Sequence, residues 1–594
     1  MRGNKILQRL VVLVAFFGML ATTATANAQE EPTELPPFGT SDDGVIQTIP
    51  GTSATPQANE IYGWEPLSIV AGGTQMRRHS LGTDRLEVWI CDVGGSYSLT
   101  ANQVANKLDN ELGPYFDSVS AGRYQPNFAA GGTVSGGNAS DCLGGAATQT
   151  GGNANAVIVV ENGYVGSALG GPGVICNGGG SCPQAPDTFP ENSRYVLAGA
   201  EAVNDAAAQE NGFSSALVSV IAHEVGHSLN FPHSYSGETF ISGQVWEYDN
   251  PTDNMSGNLT SANGSPSETL AEPYQSIGFN RYAAGWVDSS QVLLYSGGPR
   301  SVKLYRAGSS NRQLIVLPQG VQGFYVVLET RLNTTYDPVP GPARGVQAHT
   351  VDQRTSACAD DPNGQDLAAC FSLLREHKQR PPSPYAADHT LKTSDVRTYG
   401  AFQVTVTGKG SGFMRVELLG FSDIIGNIFT TEILWLASEE ITLGCNPPTN
   451  DHFCPQDEVT RGQMASFLSR ALDLPKASED FFNDDEGNTH EDNINRLAAA
   501  GITEGCASRT TFCPDDNVSR AQMASFLARA LDLPQAGKDF FNDDEGNTHE
   551  DNINRLAKSG ITQGCNSSNT QFCPEDPVTR GQMAAFLYRG RSDF

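Results

Sequence analysis

The last third of the chain repeats itself, and the repeat limits what that part can become. Phe421, Phe482 and Phe541 each stand 24 residues before a cysteine (Cys445, Cys506, Cys565), and an arginine follows each cysteine 14 to 16 residues later (Arg461, Arg520, Arg580). A period of about 60 residues divides this part into three consecutive units, 421–478, 479–537 and 538–594. Apolar spacing gives each a helix before its cysteine (Asn493 to Ala500 in the second) and another after its arginine (Gln522 to Leu531), with a turn-rich loop between.

The remaining length points to further domains, since 594 residues far exceed one module. Lys and Arg number 37 against 66 Asp and Glu, a net charge of −29, which repels phosphate backbones and makes nucleic acid an unsuitable partner. Residues 421–594 hold 28 acidic and 13 basic residues, a net of −15, about half of that excess.

The N-terminus reads as an export signal over residues 1–28. Arg2, Lys5 and Arg9 precede the apolar run Leu10 to Leu20, and Ala26-Asn27-Ala28 fits a small-x-small cleavage site, so the mature chain is expected to begin at Gln29. The apolar run is too short to span a bilayer, and no later transmembrane segment is expected. Export fits the 12 cysteines being disulfides. Cys445 with Cys454, Cys506 with Cys513 and Cys565 with Cys573 read as local loops, as do Cys176 with Cys182 and Cys358 with Cys370. Elimination leaves Cys91 for Cys142.

Residues 29–75 are rich in Pro, Gly, Thr and Ser and read as a leader or linker. From there to residue 288 the pattern is α+β: a strand at Leu86 to Ile90, a helix at Leu99 to Phe116 capped by Ser98 or Thr100, and a strand at Ala156 to Val160. A Gly-rich loop (Gly163 to Gly180), an Ala-rich helix (Arg194 to Gln209) and a second helix (Ser215 to Asn230) follow. Residues 289–420 carry alternating strands, among them Gln313 to Leu317, Phe324 to Thr330 and Phe402 to Val406, and read as an all-β sandwich.

The chemistry concentrates in His223-Glu224-Val225-Gly226-His227-Ser228-Leu229-Asn230-Phe231-Pro232-His233. Helical positions i and i+4 share a face, so His223 and His227 can both aim at one Zn²⁺ with Glu224 beside them. Pro232 cannot continue the helix and Asn230 tolerates a left-handed conformation, so the chain can turn after Leu229 and return His233 as a third ligand. Three imidazoles leave a fourth position for water, whose pKa zinc lowers, and Glu224 can act as its general base. The reaction class is amide hydrolysis.

This stretch resembles the metzincin signature HExxHxxGxxH, with Asn230 where the family has Gly. The segment Tyr248 to Gly257 resembles the turn whose methionine lies beneath the zinc, which implies that role for Met255. With Phe279 to Trp286, the region is similar to gametolysin-like and immune-inhibitor-A-like peptidases, in which a Gly-Trp closes the catalytic domain before a β domain. No tyrosine stands two residues after Met255, so a tyrosine ligand of the astacin kind is not implied. Gly163 to Pro172 reads either as a cleft edge able to pair with an extended substrate or as a plain surface loop.

The repeated Phe-Asn-Asp-Asp-Glu-Gly-Asn-Thr-His-Glu-Asp-Asn-Ile, Gly-Ile-Thr-x-Gly-Cys and Thr/Ser-Arg-x-Gln-Met-Ala-x-Phe-Leu resemble S-layer homology domains, three of which close a compact spindle. The resemblance implies that Arg461, Arg520 and Arg580 contact an anionic cell-wall polysaccharide, a role that suits guanidinium; pairing with local acids is the plainer alternative. Gln463, Gln522 and Gln582 replace the family's usual Glu. The clusters at Asp484-Asp485-Glu486 and Asp543-Asp544-Glu545 offer carboxylates for Ca²⁺, but their spacing is not that of an EF-hand loop, and a solvated face is the plainer reading.

The expectation is therefore a multidomain, secreted or wall-attached zinc endopeptidase acting on extracellular protein or peptide substrates. The alternative is a catalytically impaired surface protein that binds wall polysaccharide.

Overall fold

The computed structural model describes residues 80–95, 98–150, 154–163, 169–171, 194–199, 215–229, 276–320, 324–335, 344–352, 371–373 and 390–593, with 231, 253, 255, 337 and 339 singly. The expected export signal and leader, the Cys176–Cys182 and Cys358–Cys370 loops, Asn230 and His233 lie outside these residues.

The first region is built on a five-stranded sheet of β1 (Gly82–Asp92), β2 (Tyr124–Ser135), β3 (Ala156–Glu161), β4 (Leu169–Gly171) and β5 (Arg194–Gly199), in the order β2-β1-β3-β5-β4. The first four strands in that order run parallel, and β4 pairs antiparallel with β5 at the end of the sheet. Its central strands are buried on both sides, as parallel strands covered by helices must be. Leu86, Val88, Ile90, Ile158 and Val196 meet helices α1 (Ala101–Val119) and α3 (Ser215–Ser228) on one face. Trp89, Val157, Val159 and Leu197 meet α2 (Ala139–Thr150) on the other. Thr100 caps α1 and closes a capping box with Gln103.

Three of these elements depart from the sequence reading. Arg194–Gly199 begins the stretch read as an Ala-rich helix, yet it is the interior strand β5. Strand β2 and helix α2 were not anticipated. Strand β2 carries Pro126, Gly131 and Gly132, residues that weaken a strand signal. The glycines have a packing reason, because a Cβ on Gly131 would lie 2.3 Å from the Trp89 ring.

The β region comprises two sheets. Strands β6 (Val292–Leu294), β8 (Leu314–Pro318), β9 (Phe324–Arg331), β10 (Gly345–Asp352), β11 (Phe371–Leu373) and β12 (Thr390–Leu391) form one; β7 (Arg300–Tyr305), β13 (Val396–Tyr399), β14 (Phe402–Gly410) and β15 (Phe413–Gly420) form the other. Ile315, Leu317, Val326 and Leu328 share a core with Leu304, Val404, Val406 and Val416 of the second sheet. Alternate residues Leu314, Val316, Tyr325 and Val327 face Ile277, Phe279 and Val287, around helix α4 (Gly278–Ala283). A buried ion pair, Arg281 to Glu329 at 2.7 Å, fixes that junction.

The repeats hold six helices: α5 (Thr430–Ser438), α6 (Arg461–Ala471), α7 (Glu491–Ala499), α8 (Arg520–Ala530), α9 (Glu550–Lys558) and α10 (Arg580–Gly590). Helix α6 packs on α7 and α8 on α9, while α10 returns to pack on α5. Three valines join the units at the centre: Val459 N–H donates to Val578 O, Val578 N–H to Val518 O, and Val518 N–H to Val459 O. The three units therefore close into a ring, and their core is continuous with that of the β region.

Disulfides join Cys91 to Cys142, Cys445 to Cys454, Cys506 to Cys513 and Cys565 to Cys573. Among the described residues no helix is long and apolar enough to cross a membrane.

Candidate functional site

Helix α3 presents Val218, Ile221, Ala222 and Val225 to the sheet, and His223 and Glu224 on the same helix are buried, 7% and 6% exposed. His227 follows His223 by four positions on that helix, one turn further along. Beyond the end of the helix, Phe231 N–H donates back to Gly226 O at 2.9 Å. Burial pushes the Glu224 carboxyl up to about 8, whereas a cation beside it acts in the opposite direction.

Met255 is fully buried against this helix. Its sulfur occupies the space of the missing Gly226 side chain, because a Cβ there would lie 2.4 Å from Sδ. Asp253 Oδ1 accepts from Met255 N at 3.1 Å and from Ile277 N at 3.3 Å, tying the methionine to the start of α4. Sequence reading passed over Asp253.

The C-terminal end of α3 is held from below. Ser228 Oγ accepts from Arg194, which forms a buried ion pair with Asp84. Tyr124 donates to the same carboxylate at 2.6 Å and stacks on Trp286, while Phe231 meets Trp286 edge-on at 5.4 Å. Trp286 Nε1 donates to Ser80 O at 2.8 Å. These partners come from β1, β2 and β5, so sequence spacing near α3 gave no signal of them. A buried imidazole with a second histidine one turn along the same helix, and a buried carboxylate at the adjoining position, is a residue set suited to zinc with a base beside it.

The arginines of the repeats occupy equivalent places. Arg461, Arg520 and Arg580 are each 5% exposed, and each reaches into the next unit round the ring. Their Nε atoms donate to Phe512 O, Phe572 O and Phe453 O at 2.7, 2.7 and 2.8 Å. Nη2 donates to Gly505 O, Gly564 O and Gly444 O, and each guanidinium lies over the phenylalanine ring beside it. Burial lowers all three pKa values, that of Arg580 to about 10. Backbone carbonyls and aromatic faces receive their hydrogen bonds and ring contacts, while the local acids considered from sequence act on them through space: Asp516 and Asp484 on Arg461, Asp576 and Asp543 on Arg520, and Asp457 and Asp423 on Arg580. Gln522 and Gln582 close capping boxes with Ser519 and Thr579, and Gln463 accepts from Arg580 Nη1 at 3.3 Å.

Among the described residues, three groups bring three potential metal-ligand atoms within 4.8 Å: Asp423 with Cys445 and Cys454, and its two repeat counterparts. Their cysteines are disulfide-bonded, which removes the thiolates a metal would need. The aspartates have another task, since Asp484 accepts from Phe512 N at 2.7 Å and Cys513 N at 2.8 Å, and Asp423 and Asp543 do the same in their units.

Comparison with known proteins agrees with the repeats. Residues 482–524 and 541–584 match the S-layer homology domain. Repeats of this family bind cell-wall polysaccharide and place their carriers at the cell surface or wall. The chain is also similar to an endoglucanase of Bacillus sp. (strain KSM-635), at 39% identity over 82 residues, 14% of this chain and 8% of that enzyme. So small a shared part leaves the endoglucanase activity with that protein.

Proposed function

We propose that the chain is a surface-attached, zinc-dependent endopeptidase with metzincin-like chemistry. The observation that carries this reading is the burial of His223 and Glu224 on α3, with His227 one turn on and Met255 packed against Gly226 between the two histidines in sequence. His223 and His227 would hold the metal, joined by His233 from beyond the helix. Zinc, when bound, supplies a Lewis acid that polarises the scissile carbonyl and acidifies water. Glu224 takes the proton of the attacking water and delivers it to the leaving amine. Strand β4, at the sheet end beside α3, offers an edge with which an extended peptide can pair.

The repeats would hold the enzyme at the wall through an anionic polysaccharide, with Arg461, Arg520 and Arg580 as the cationic groups. Their burial assigns each also to the joint between units.

The test is hydrolysis of casein or gelatin by residues 29–594, with and without a zinc chelator, beside Glu224→Ala. The expected outcome is loss of cleavage in both controls, with zinc near one per chain in the variant. Cleavage retained by Glu224→Ala overturns the mechanism. A second reading, a wall-binding protein that has lost catalysis, is favoured by Asn230 at the position of the signature glycine. Wall binding that survives chelation, with no cleavage of any protein, would establish it.

A further inference from the structure

The second and third repeats each bury a carboxylate that the first repeat lacks. Asp485 and Asp544 are 1% exposed, and neither oxygen of either side chain accepts a hydrogen bond from another residue. Neighbouring acids face them: Asp480, Glu491 and Asp484 act on Asp485, and Asp539, Glu550 and Asp543 act on Asp544. Burial and those like charges push both carboxyls up to about 6. Left alone, such a group is strongly unfavourable, and the chain builds it twice.

The first repeat is an internal control. Aligned on Phe421 and Phe482, Leu419 stands at the position of Asp480, Ile424 at Asp485, Thr430 at Glu491 and Leu434 at Asn495. Ile424 is completely buried, so this pocket is filled by hydrocarbon where the acids are missing. The polar groups thus appear or disappear as a set, as ligands of one ion would.

The backbone turn is common to all three repeats, since Asn427 N–H donates to Ile424 O at 2.9 Å in the first; what the second and third add is a glutamate that grips it. Asn488 N–H donates to Asp485 O at 2.9 Å, and Gly487 N–H donates to Glu491 Oε2 at 2.7 Å; the third repeat repeats both, from Asn547 to Asp544 and from Gly546 to Glu550, each at 2.9 Å. Asn495 Nδ2 holds Asp480 Oδ1 at 3.1 Å. The first acid of each cluster is already committed to the disulfide loop, which leaves the buried second acid for another partner.

We propose that the second and third repeats each bind one Ca²⁺, through Asp485 with Asp480 and Glu491, and through Asp544 with Asp539 and Glu550. Three carboxylates give a net charge of −3 and all-oxygen ligation, the hard donor set calcium takes, with waters and backbone carbonyls completing six to eight ligands. Asp480 is exposed and Glu491 only partly buried, so both side chains can turn onto an ion seated at Asp485. The inference rests on the repeats alone and is independent of the peptidase reading.

The test is calcium titration calorimetry on the full chain with its zinc requirement already saturated, at neutral pH. Wild type is expected to bind two more Ca²⁺ than either Asp485→Asn/Asp544→Asn or Asp485→Ile/Asp544→Ile, and each single variant one more than the doubles. Calcium is expected to raise the melting temperature of wild type by about 5 °C and to leave the doubles unmoved. The isoleucine pair copies the first repeat; if it does not fold, the asparagine pair still decides. Equal stoichiometry in wild type and the folded double variant overturns the proposal, as does a wild-type melting temperature indifferent to millimolar calcium.

Discussion

Gly226 and Met255 share one space: a methyl group on the glycine would stand 2.4 Å from the methionine sulfur and 3.1 Å from its Cε. The glycine lies between His223 and His227 in sequence, so whatever displaces the methionine disturbs the turn that carries both. Gly→Ala inside a helix ordinarily stabilises by up to about 1 kcal/mol. Here Gly226→Ala should instead destabilise by about 1–3 kcal/mol and reduce bound zinc. Adding Met255→Ala should recover part of that loss, read by thermal melting and zinc content of the four chains of the cycle. Additive losses would refute the contact.

The Asp84–Arg194 pair supports α3 from the sheet through Ser228. Removing one partner leaves a buried charge alone, so Asp84→Asn should cost about 3–5 kcal/mol. Asp84→Leu with Arg194→Met should cost less than either single change, because no charge is then stranded. Urea denaturation of Asp84→Asn, Asp84→Leu, Arg194→Met and the double variant decides the order.

Arg580 reaches back across 127 residues to Phe453 O and Gly444 O, fastening the third repeat to the first. Arg580→Lys keeps the charge but loses the forked donor set. It should destabilise the repeats by about 1–3 kcal/mol, the penalty for buried carbonyls left without donors. Arg461→Lys and Arg520→Lys should match it, since all three joints are alike. A much smaller effect at Arg580, measured by denaturant melting, would mean that the ring is not closed in solution.

The calcium-free chain should also respond to pH. Asp485 and Asp544 bind protons up to about pH 6 when folded, whereas an ordinary aspartate releases them near 3.8. The folded chain therefore holds more protons between those values. Its stability is highest below about pH 4 for these two groups and falls as pH rises towards 6, by at most about 3 kcal/mol per site. Melting in a chelator across that range, compared with Asp485→Ile/Asp544→Ile, isolates the contribution.

What could be read from sequence followed from periodicity and spacing. His223, Glu224 and His227 are local on one helix, and α3 runs Ser215–Ser228 against the expected Ser215 to Asn230. The helices of the second repeat differ from expectation by two residues or fewer at their ends. Strand β5 was misread because Arg194–Gly199 leads into an alanine-rich run, and a strand covered on both faces loses the alternation that marks one. Asp485 was hidden by its company, since an acidic run reads as a solvated face. Only its equivalence to Ile424 reveals that one member points inward. Arg194, Asp84 and Tyr124 meet at Ser228 through the sheet, a relationship that no local pattern encodes.

The cycle of hydrogen bonds through Val459, Val578 and Val518 has a consequence for how this part of the chain can change. An open solenoid gains or loses units at its ends, each addition resting on the last. A closed ring has no free end to extend: a fourth unit would find both neighbouring faces taken, and two would leave facing surfaces bare. Copy number is therefore set by geometry at three, and divergence can proceed only by altering units in place, as in the first, which carries hydrocarbon where the other two carry acids.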